Sequence, residues 1–116
     1  MDEKPKFDLE ERTAVFGENV IVFAKRIPTN PVATPLISQL VRSATSVGAN
    51  YCEADTAPTK KDFKYRIGIC QKEAKETKHW LRMVAKAEPK LADESRTLWK
   101  EARELTLIFS AIIRGK

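Results

Sequence analysis

The amino-acid sequence predicts an all-α fold, an antiparallel up-down four-helix bundle. Only four of the 116 residues are glycine, while residues that favour helices, such as alanine, leucine, glutamate and lysine, are frequent. Apolar residues recur at steps of three and four in four successive segments, which places them on one face of each helix. Short proline-marked breaks separate the segments and favour antiparallel neighbours. We therefore predict one domain over residues 1–116, with helices at about 8–27, 35–54, 60–87 and 90–114.

The first two predicted helices are bounded by prolines. The apolar stripe of the first consists of Leu9, Thr13, Phe16, Val20, Phe23 and Ile27. Pro28 ends this helix, because the residue before a proline is driven out of the α region. Thr34 and Pro35 have the form of an N-cap followed by the first helical position, so the second helix is expected to begin there. Its stripe consists of Ile37, Leu40, Ala44, Val47 and Tyr51.

The third and fourth predicted helices carry the longest and most regular stripes. Thr59 and Asp62 have the spacing of a capping box in which aspartate replaces glutamate. The third stripe then consists of Phe63, Ile67, Cys70, Ala74, Thr77, Leu81 and Val84. After an interruption at Pro89, the fourth consists of Leu91, Ser95, Leu98, Ala102, Leu105, Phe109 and Ile112. Gly115 is the expected C-cap.

Further apolar residues lie beside these stripes. They are Val15, Val22, Leu36, Val41, Trp80, Met83, Trp99, Leu107, Ile108 and Ile113. A globular helix normally buries a wide face, which would account for them. The alternative is a second apolar surface that is used for self-association.

The net charge of +5 is concentrated in one segment. Residues 60–87 contain nine basic and three acidic residues, whereas the remaining segments are nearly balanced. The basic residues of the third helix that fall off its apolar stripe are Lys61, Lys64, Lys72, Lys75, Lys78, Arg82 and Lys86. Such a surface can neutralise several phosphates, so these are the predicted nucleic-acid-binding residues. The alternative is an ordinary solvated face, partly offset by Glu73 and by a Lys72–Glu76 pair.

No motif for reading base sequence is present. The sequence contains no helix-turn-helix signature, zinc finger or RNP-type aromatic set. Trp80 and Trp99 can stack on bases, but aromatic residues beside a helical stripe more often pack in a core or an interface. Any binding is therefore expected to be directed at the phosphate backbone and to be sensitive to salt.

Catalytic and metal-binding constellations are lacking in the sequence. Glu76 and His79 have Glu-x-x-His spacing, but a di-iron bundle needs two such motifs and this chain has one histidine. Cys52 and Cys70 are expected to be reduced thiols in or near the core. Residues 105–113 form the longest apolar run, which is too short to span a membrane. We expect a cytoplasmic protein that is not an enzyme, with no metal, no cofactor and no membrane association.

The second and third helices carry motifs of a known family. The segments are Ser38–Ala54 (SQLVRSATSVGANYCEA), Lys60–Phe63 (KKDF) and Cys70–Leu81 (CQKEAKETKHWL). They resemble the motifs of the four-helix-bundle proteins related to the 23S ribosomal RNA intervening-sequence protein. This family includes the accessory variability determinant of diversity-generating retroelements. Two positions depart from the pattern: Ser43 stands where a second arginine is frequent, and Gly48 where an aliphatic residue is common.

The resemblance implies a bacterial, cytoplasmic, non-catalytic bundle that assembles into a homopentamer. The similar accessory variability determinant associates with nucleic acid and with a reverse transcriptase, so RNA, DNA or such a protein are the implied partners. The polar and aromatic motif residues with an implied structural or interface role are Arg42, Asn50, Glu53, Asp62, Glu73, Glu76 and Trp80. The predicted function is that of a nucleic-acid-binding accessory or adaptor protein. The alternative is a homo-oligomeric scaffold that binds a protein partner without nucleic acid.

Overall fold

The computed structural model describes residues 8–115, and all of the regular structure in that range is helical. The elements are α1 (Leu9–Ala24), α2 (Ala33–Asp55), α3 (Lys60–Ala87), a short 3₁₀ helix (Pro89–Leu91) and α4 (Ala92–Gly115). The prediction of an all-α fold with four main helices is confirmed. The ends of the predicted domain, residues 1–7 and 116, lie outside the described residues.

Consecutive helices pack side by side and run in opposite directions. Along the α2–α3 interface, Ser43 accepts a hydrogen bond from Thr77, while Val47, further along α2, faces Cys70, which lies earlier in α3. α3 also packs against α4, where the Ser95 hydroxyl donates to the Leu81 carbonyl oxygen at 2.7 Å. α1 packs against α2 and α4, which closes a four-helix arrangement.

The predicted stripes form the core. All six residues of the first predicted stripe are buried, as are the central residues of the other three stripes. The largest fully buried side chains come from all four helices and are Phe16, Phe109, Leu40, Ile67, Leu81 and Leu105. Buried hydroxyls within the stripes are hydrogen-bonded: Thr13 donates to the Leu9 carbonyl at 2.7 Å and Thr77 to Ser43 at 2.9 Å. The polar residues in the stripes therefore do not leave unsatisfied groups in the core.

The ends of α1 and α2 differ from the prediction. α1 ends at Ala24, because the Arg26 and Ile27 amides bond to carbonyls three residues back and so form a tightened turn before Pro28. α2 begins at Ala33 rather than at 35, and Thr34 is not its cap. Asn30 takes that role, since its Oδ1 accepts from the amides of Val32 and Ala33 at 2.9 and 2.8 Å.

The ends of α3 and α4 also follow from local chemistry. The Thr59 hydroxyl accepts from the Asp62 amide at 3.0 Å, and α3 starts directly after it at Lys60. Pro89 begins the 3₁₀ helix, so the α-helical part of α4 starts at Ala92. Gly115 is the last residue of α4 and does not have a positive φ, so its expected role as a left-handed C-cap is wrong.

The apolar residues beside the stripes divide into two groups. Most of them are partly buried: Met83 is half-buried, and six others pack against the core, namely Leu36, Val41, Trp80, Trp99, Ile108 and Ile113. Val15, Val22 and Leu107 are exposed, with 37%, 61% and 52% of their surface accessible. A wide buried face thus explains most of this set but not these three residues.

Candidate nucleic-acid interface

The predicted basic residues of α3 lie on the side of the helix that faces away from the core. At 3.6 residues per turn, the seven fall within an arc of roughly 120° of the helix circumference. Lys64 and Lys78 are half-buried and the other five are exposed. Lys72 is set apart from the rest, because its Nζ lies 3.8 Å from Oε2 of Glu73. The expected Lys72–Glu76 pair is absent among the described ion pairs, since Glu76 binds Arg42 instead.

α4 contributes cations that the sequence analysis did not single out. Arg96, Lys100 and Arg103 follow one another at steps of four and three, and all three are exposed. Arg96 and Lys100 line the same surface groove as Arg82 of α3. The two helices thus form one surface, here called the cationic face. It consists of Lys61, Lys64, Lys75, Lys78, Arg82 and Lys86 in α3 and Arg96, Lys100 and Arg103 in α4.

Four carboxylates of α3 and α4 bind arginines on the other side of the bundle. In α3, Glu73 and Glu76 bind Arg42 of α2. In α4, Glu101 binds Arg12 of α1, with Arg12 Nε 2.7 Å from Oε2. Glu94 likewise binds Arg26, which follows α1. Arginines of the α1–α2 half thus neutralise acidic residues of the α3–α4 half.

The cations of the cationic face have no such partners. None of its nine side chains forms a hydrogen bond or an ion pair with another of the described residues. One of them makes an aromatic contact instead: Lys78 Nζ lies 5.4 Å from the centre of the Trp99 ring. The positive charge on this side of the molecule is therefore available to an external anion.

The Arg42 cluster joins the family-motif residues across α2 and α3. Arg42 Nη1 donates to Glu73 Oε1 at 3.2 Å, and Nη2 binds Oε2 of Glu76. Trp80 Nε1 donates to the same Glu76 oxygen at 2.9 Å. This hydrogen bond, against the opposing effect of burial and with further help from Arg42, holds the pKa of Glu76 below its ordinary value. Glu73 is buried, so the cluster fixes the register of α2 against α3.

The remaining motif residues have different surroundings. Asn50 Oδ1 accepts from Arg66 Nη1 of α3 at 3.0 Å, and its amide nitrogen donates to the Ser46 carbonyl at 2.9 Å. Asp62 lies in the first turn of α3, where a carboxylate complements the helix dipole. Glu53 is exposed and makes no ion pair with another described residue, so the expected pairing across α2 and α3 is not seen for it.

The two cysteines differ in environment. Cys70 is buried, and its burial raises the pKa of the thiol to about 12, which keeps it protonated and unreactive at neutral pH. Cys52 is exposed, so the expectation that it lies in or near the core is wrong. Within residues 8–115, no three histidine, cysteine or acidic side chains come close enough together to hold a metal ion. In the same range, no helix is both long and apolar enough to cross a bilayer.

The family of the chain follows from comparison with known proteins. The family model of the 23S rRNA-intervening sequence protein matches residues 6–111. The chain belongs to this family. A solved structure, of a protein of unknown function from the S23 ribosomal protein family of Bacteroides thetaiotaomicron, is 26% identical with a TM-score of 0.82. The similarity covers 90% of this chain and 94% of that chain. No curated protein matches the sequence.

The family-motif residues of α2 and α3 meet in the structure. The motif segments on which the resemblance was based contain Arg42, Glu73, Glu76 and Trp80, and the structure joins these four residues in one cluster. The cations of α4 lie outside those segments. The half of the cationic face that lies on α4 is thus a feature of this intervening-sequence protein that the motifs do not describe.

Proposed function

We propose that this intervening-sequence protein binds nucleic acid, RNA or DNA, through its cationic face, as a non-catalytic accessory factor. One observation carries the proposal: none of the nine cations of the cationic face has a carboxylate partner among the described residues, while Glu73, Glu76, Glu94 and Glu101 are bound by arginines of the α1–α2 half. Exposed lysines and arginines that track along two helices match the regularly spaced charges of a phosphate backbone. The sequence contains no motif that reads base edges in the grooves of a duplex. Binding should therefore depend weakly on the base sequence of the nucleic acid.

Charge neutralisation with a matched control tests this proposal. The variant Lys75→Gln, Lys78→Gln, Arg82→Gln removes three charges from the cationic face. The control Lys25→Glu, Thr29→Asp lowers the net charge by the same amount at exposed positions, the C-cap of α1 and the connection between α1 and α2. We expect the first variant to bind a labelled RNA about tenfold more weakly in fluorescence anisotropy, and the control to stay close to the wild type. Equal losses in both variants would show that only net charge matters and would contradict the assignment of the surface.

A second candidate function, self-association, is supported by the apolar surface of α1. Val15 and Val22 are exposed and lie seven residues apart, so they share one side of the helix. Val22 also lines a groove of about 280 Å³ between α1 and α4, together with Phe23 and Leu98. We infer that this side contacts another copy of the chain, in a homopentamer of the kind that the resemblance implies. Such an assembly could present several cationic faces to nucleic acid, or act as a scaffold for a protein partner such as a reverse transcriptase.

The mass in solution tests the self-association. Light scattering coupled to size-exclusion chromatography should give five times the 13.2 kDa of the chain. Val22→Lys should reduce this mass, because it places a charge in the apolar contact. Val32→Lys is the control, since Val32 is exposed but lies in the connection between α1 and α2, away from this side. A wild-type mass of 13.2 kDa would contradict the assembly.

A further inference from the structure

A groove lies between the C-terminal half of α3 and the N-terminal half of α4. Its volume is about 400 Å³, at the lower end of the roughly 300–1,000 Å³ that is typical of small-molecule sites. Its floor is apolar and formed by small side chains at Ala85 and Ala92, together with the buried Leu81. Its rim is formed by Arg82, Arg96, Trp99 and Lys100. None of the described residues that line it is acidic.

The rim concentrates positive charge beside the apolar floor. Arg82, Arg96 and Lys100 are exposed and have no carboxylate partner among the described residues. Charges of one sign around a depression with low-dielectric walls strengthen the local potential and attract an anion. The two guanidinium groups are planar donors that suit phosphate oxygens.

The two tryptophans of the chain have different roles. Trp80 Nε1 is engaged by Glu76, and the ring contacts His79 with a centroid distance of 4.9 Å. Trp99 Nε1 makes no hydrogen bond to a described residue, and the indole forms part of the groove wall. Lys78 approaches the Trp99 ring but is not one of the residues that line the groove. The part of the indole that forms the groove wall is therefore open. An open aromatic wall next to unpaired cations suits a flat ring that carries a nearby phosphate.

We propose that this groove binds one unpaired nucleotide of a nucleic-acid strand, with its base against Trp99 and its phosphate between Arg82 and Arg96. The inference rests on the proposed function and adds to it a preference for single-stranded segments. In a duplex the bases are stacked on one another and cannot reach the indole, whereas an unpaired base can leave the strand and enter the groove. The remaining cations then hold the flanking phosphates, which explains why the groove lies within the cationic face.

Binding of single-stranded and duplex RNA by variants of the intact protein tests this inference. Trp99→Leu should weaken binding of an unstructured single-stranded RNA about tenfold, while binding of a duplex of the same length should change less than about twofold. Trp99→Phe retains an aromatic ring and should recover most of the affinity. Trp80→Phe is the control, and its single-strand affinity should equal that of the wild type. Circular dichroism of each variant verifies that it is folded.

Tryptophan fluorescence gives a readout that does not depend on a loss of binding. In Trp80→Phe, Trp99 is the one remaining tryptophan, because the chain has two. Single-stranded RNA should quench its emission, and duplex RNA should leave it nearly unchanged. Equal effects of Trp99→Leu on both RNAs, or no quenching by a bound single strand, would overturn the groove assignment and leave the proposed function standing. Absence of binding to either RNA would overturn both.

Discussion

Arg12 of α1 donates two hydrogen bonds to the carboxylate of Glu101 in α4, at 2.7 and 2.9 Å. This bidentate pair turns the acidic side of α4 toward α1 and leaves Arg96, Lys100 and Arg103 on the opposite flank, beside α3. The Arg42 cluster has the same effect on α3. Ion pairs between the two halves of the bundle thus both hold helices together and separate the charges of the surface.

The Arg12–Glu101 pair should stabilise the fold modestly. Glu101→Gln removes the charge and is expected to lower the free energy of unfolding by about 0.5–1 kcal/mol, because the pair is bidentate but partly exposed. The measurement is urea denaturation at low salt. Glu53→Gln is the control, since Glu53 is exposed and makes no ion pair with a described residue, and it should change the stability by less than about 0.5 kcal/mol. Equal effects of the two substitutions would contradict a specific pair.

Glu76 should make stability depend on acidic pH. Its pKa is lower in the folded protein than its ordinary value of 4.5, first because of the hydrogen bond from Trp80. The stabilisation is therefore present above pH 4.5 and is lost as the pH falls through the folded pKa. Trp80→Phe removes the donor and should raise this pKa, which NMR titration of the carboxylate can measure. Trp99→Phe should leave it unchanged, and a fall of the pKa in Trp80→Phe would contradict the assignment.

Asparagine and threonine are both common N-cap residues, but Asn30 and not Thr34 caps α2. Asn30→Ala should lower the free energy of unfolding by about 1 kcal/mol, because Oδ1 of Asn30 accepts from two amides at the start of α2. Thr34→Ala should have little effect, since Thr34 is exposed and lies inside the helix. Thermal or urea denaturation distinguishes the two variants. A larger loss of stability in Thr34→Ala than in Asn30→Ala would show that Thr34 is the cap, as the sequence predicts.

Two leucines of α4 test the division between core and surface. Leu105 is fully buried, so Leu105→Ala should cost about 2–5 kcal/mol through the lost burial and the cavity that remains. Leu107 is 52% exposed, and Leu107→Ala should cost less than about 1 kcal/mol. Urea denaturation of both variants gives the comparison. Similar losses at the two positions would indicate that Leu107 is covered in solution by another chain.

The core was predictable from the sequence and the charge separation was not. Steps of three and four identify the buried residues because helix geometry alone decides which side chains share a face. Residues 88–116 contain six basic and five acidic residues, so the net charge of this segment gives no sign of a cationic surface on α4. In the structure Glu101 and Glu94 point toward α1 while Arg96 and Lys100 point toward α3, and a sum over the segment hides this. The steps of four and three between Arg96, Lys100 and Arg103 would have indicated that these cations share one side of α4.

The prediction that Thr34 caps α2 was wrong for a related reason. Asn30-Pro31 and Thr34-Pro35 both have the form of a cap followed by a proline in the first turn. The earlier pair prevails, since Asn30 accepts from the amides of Val32 and Ala33, and α2 continues through Pro35. Local sequence alone does not rank two adjacent start signals.

Salt dependence of RNA binding tests the central claim most directly. The logarithm of the affinity of the wild type for single-stranded RNA should fall linearly with the logarithm of the salt concentration. In Lys75→Gln, Lys78→Gln, Arg82→Gln the slope should be smaller by about 2, because about 0.7 is lost for each phosphate contact. The control Lys25→Glu, Thr29→Asp should keep the slope of the wild type. An unchanged slope in the triple variant, or binding by the wild type that does not respond to salt, would contradict the cationic face as the site of binding.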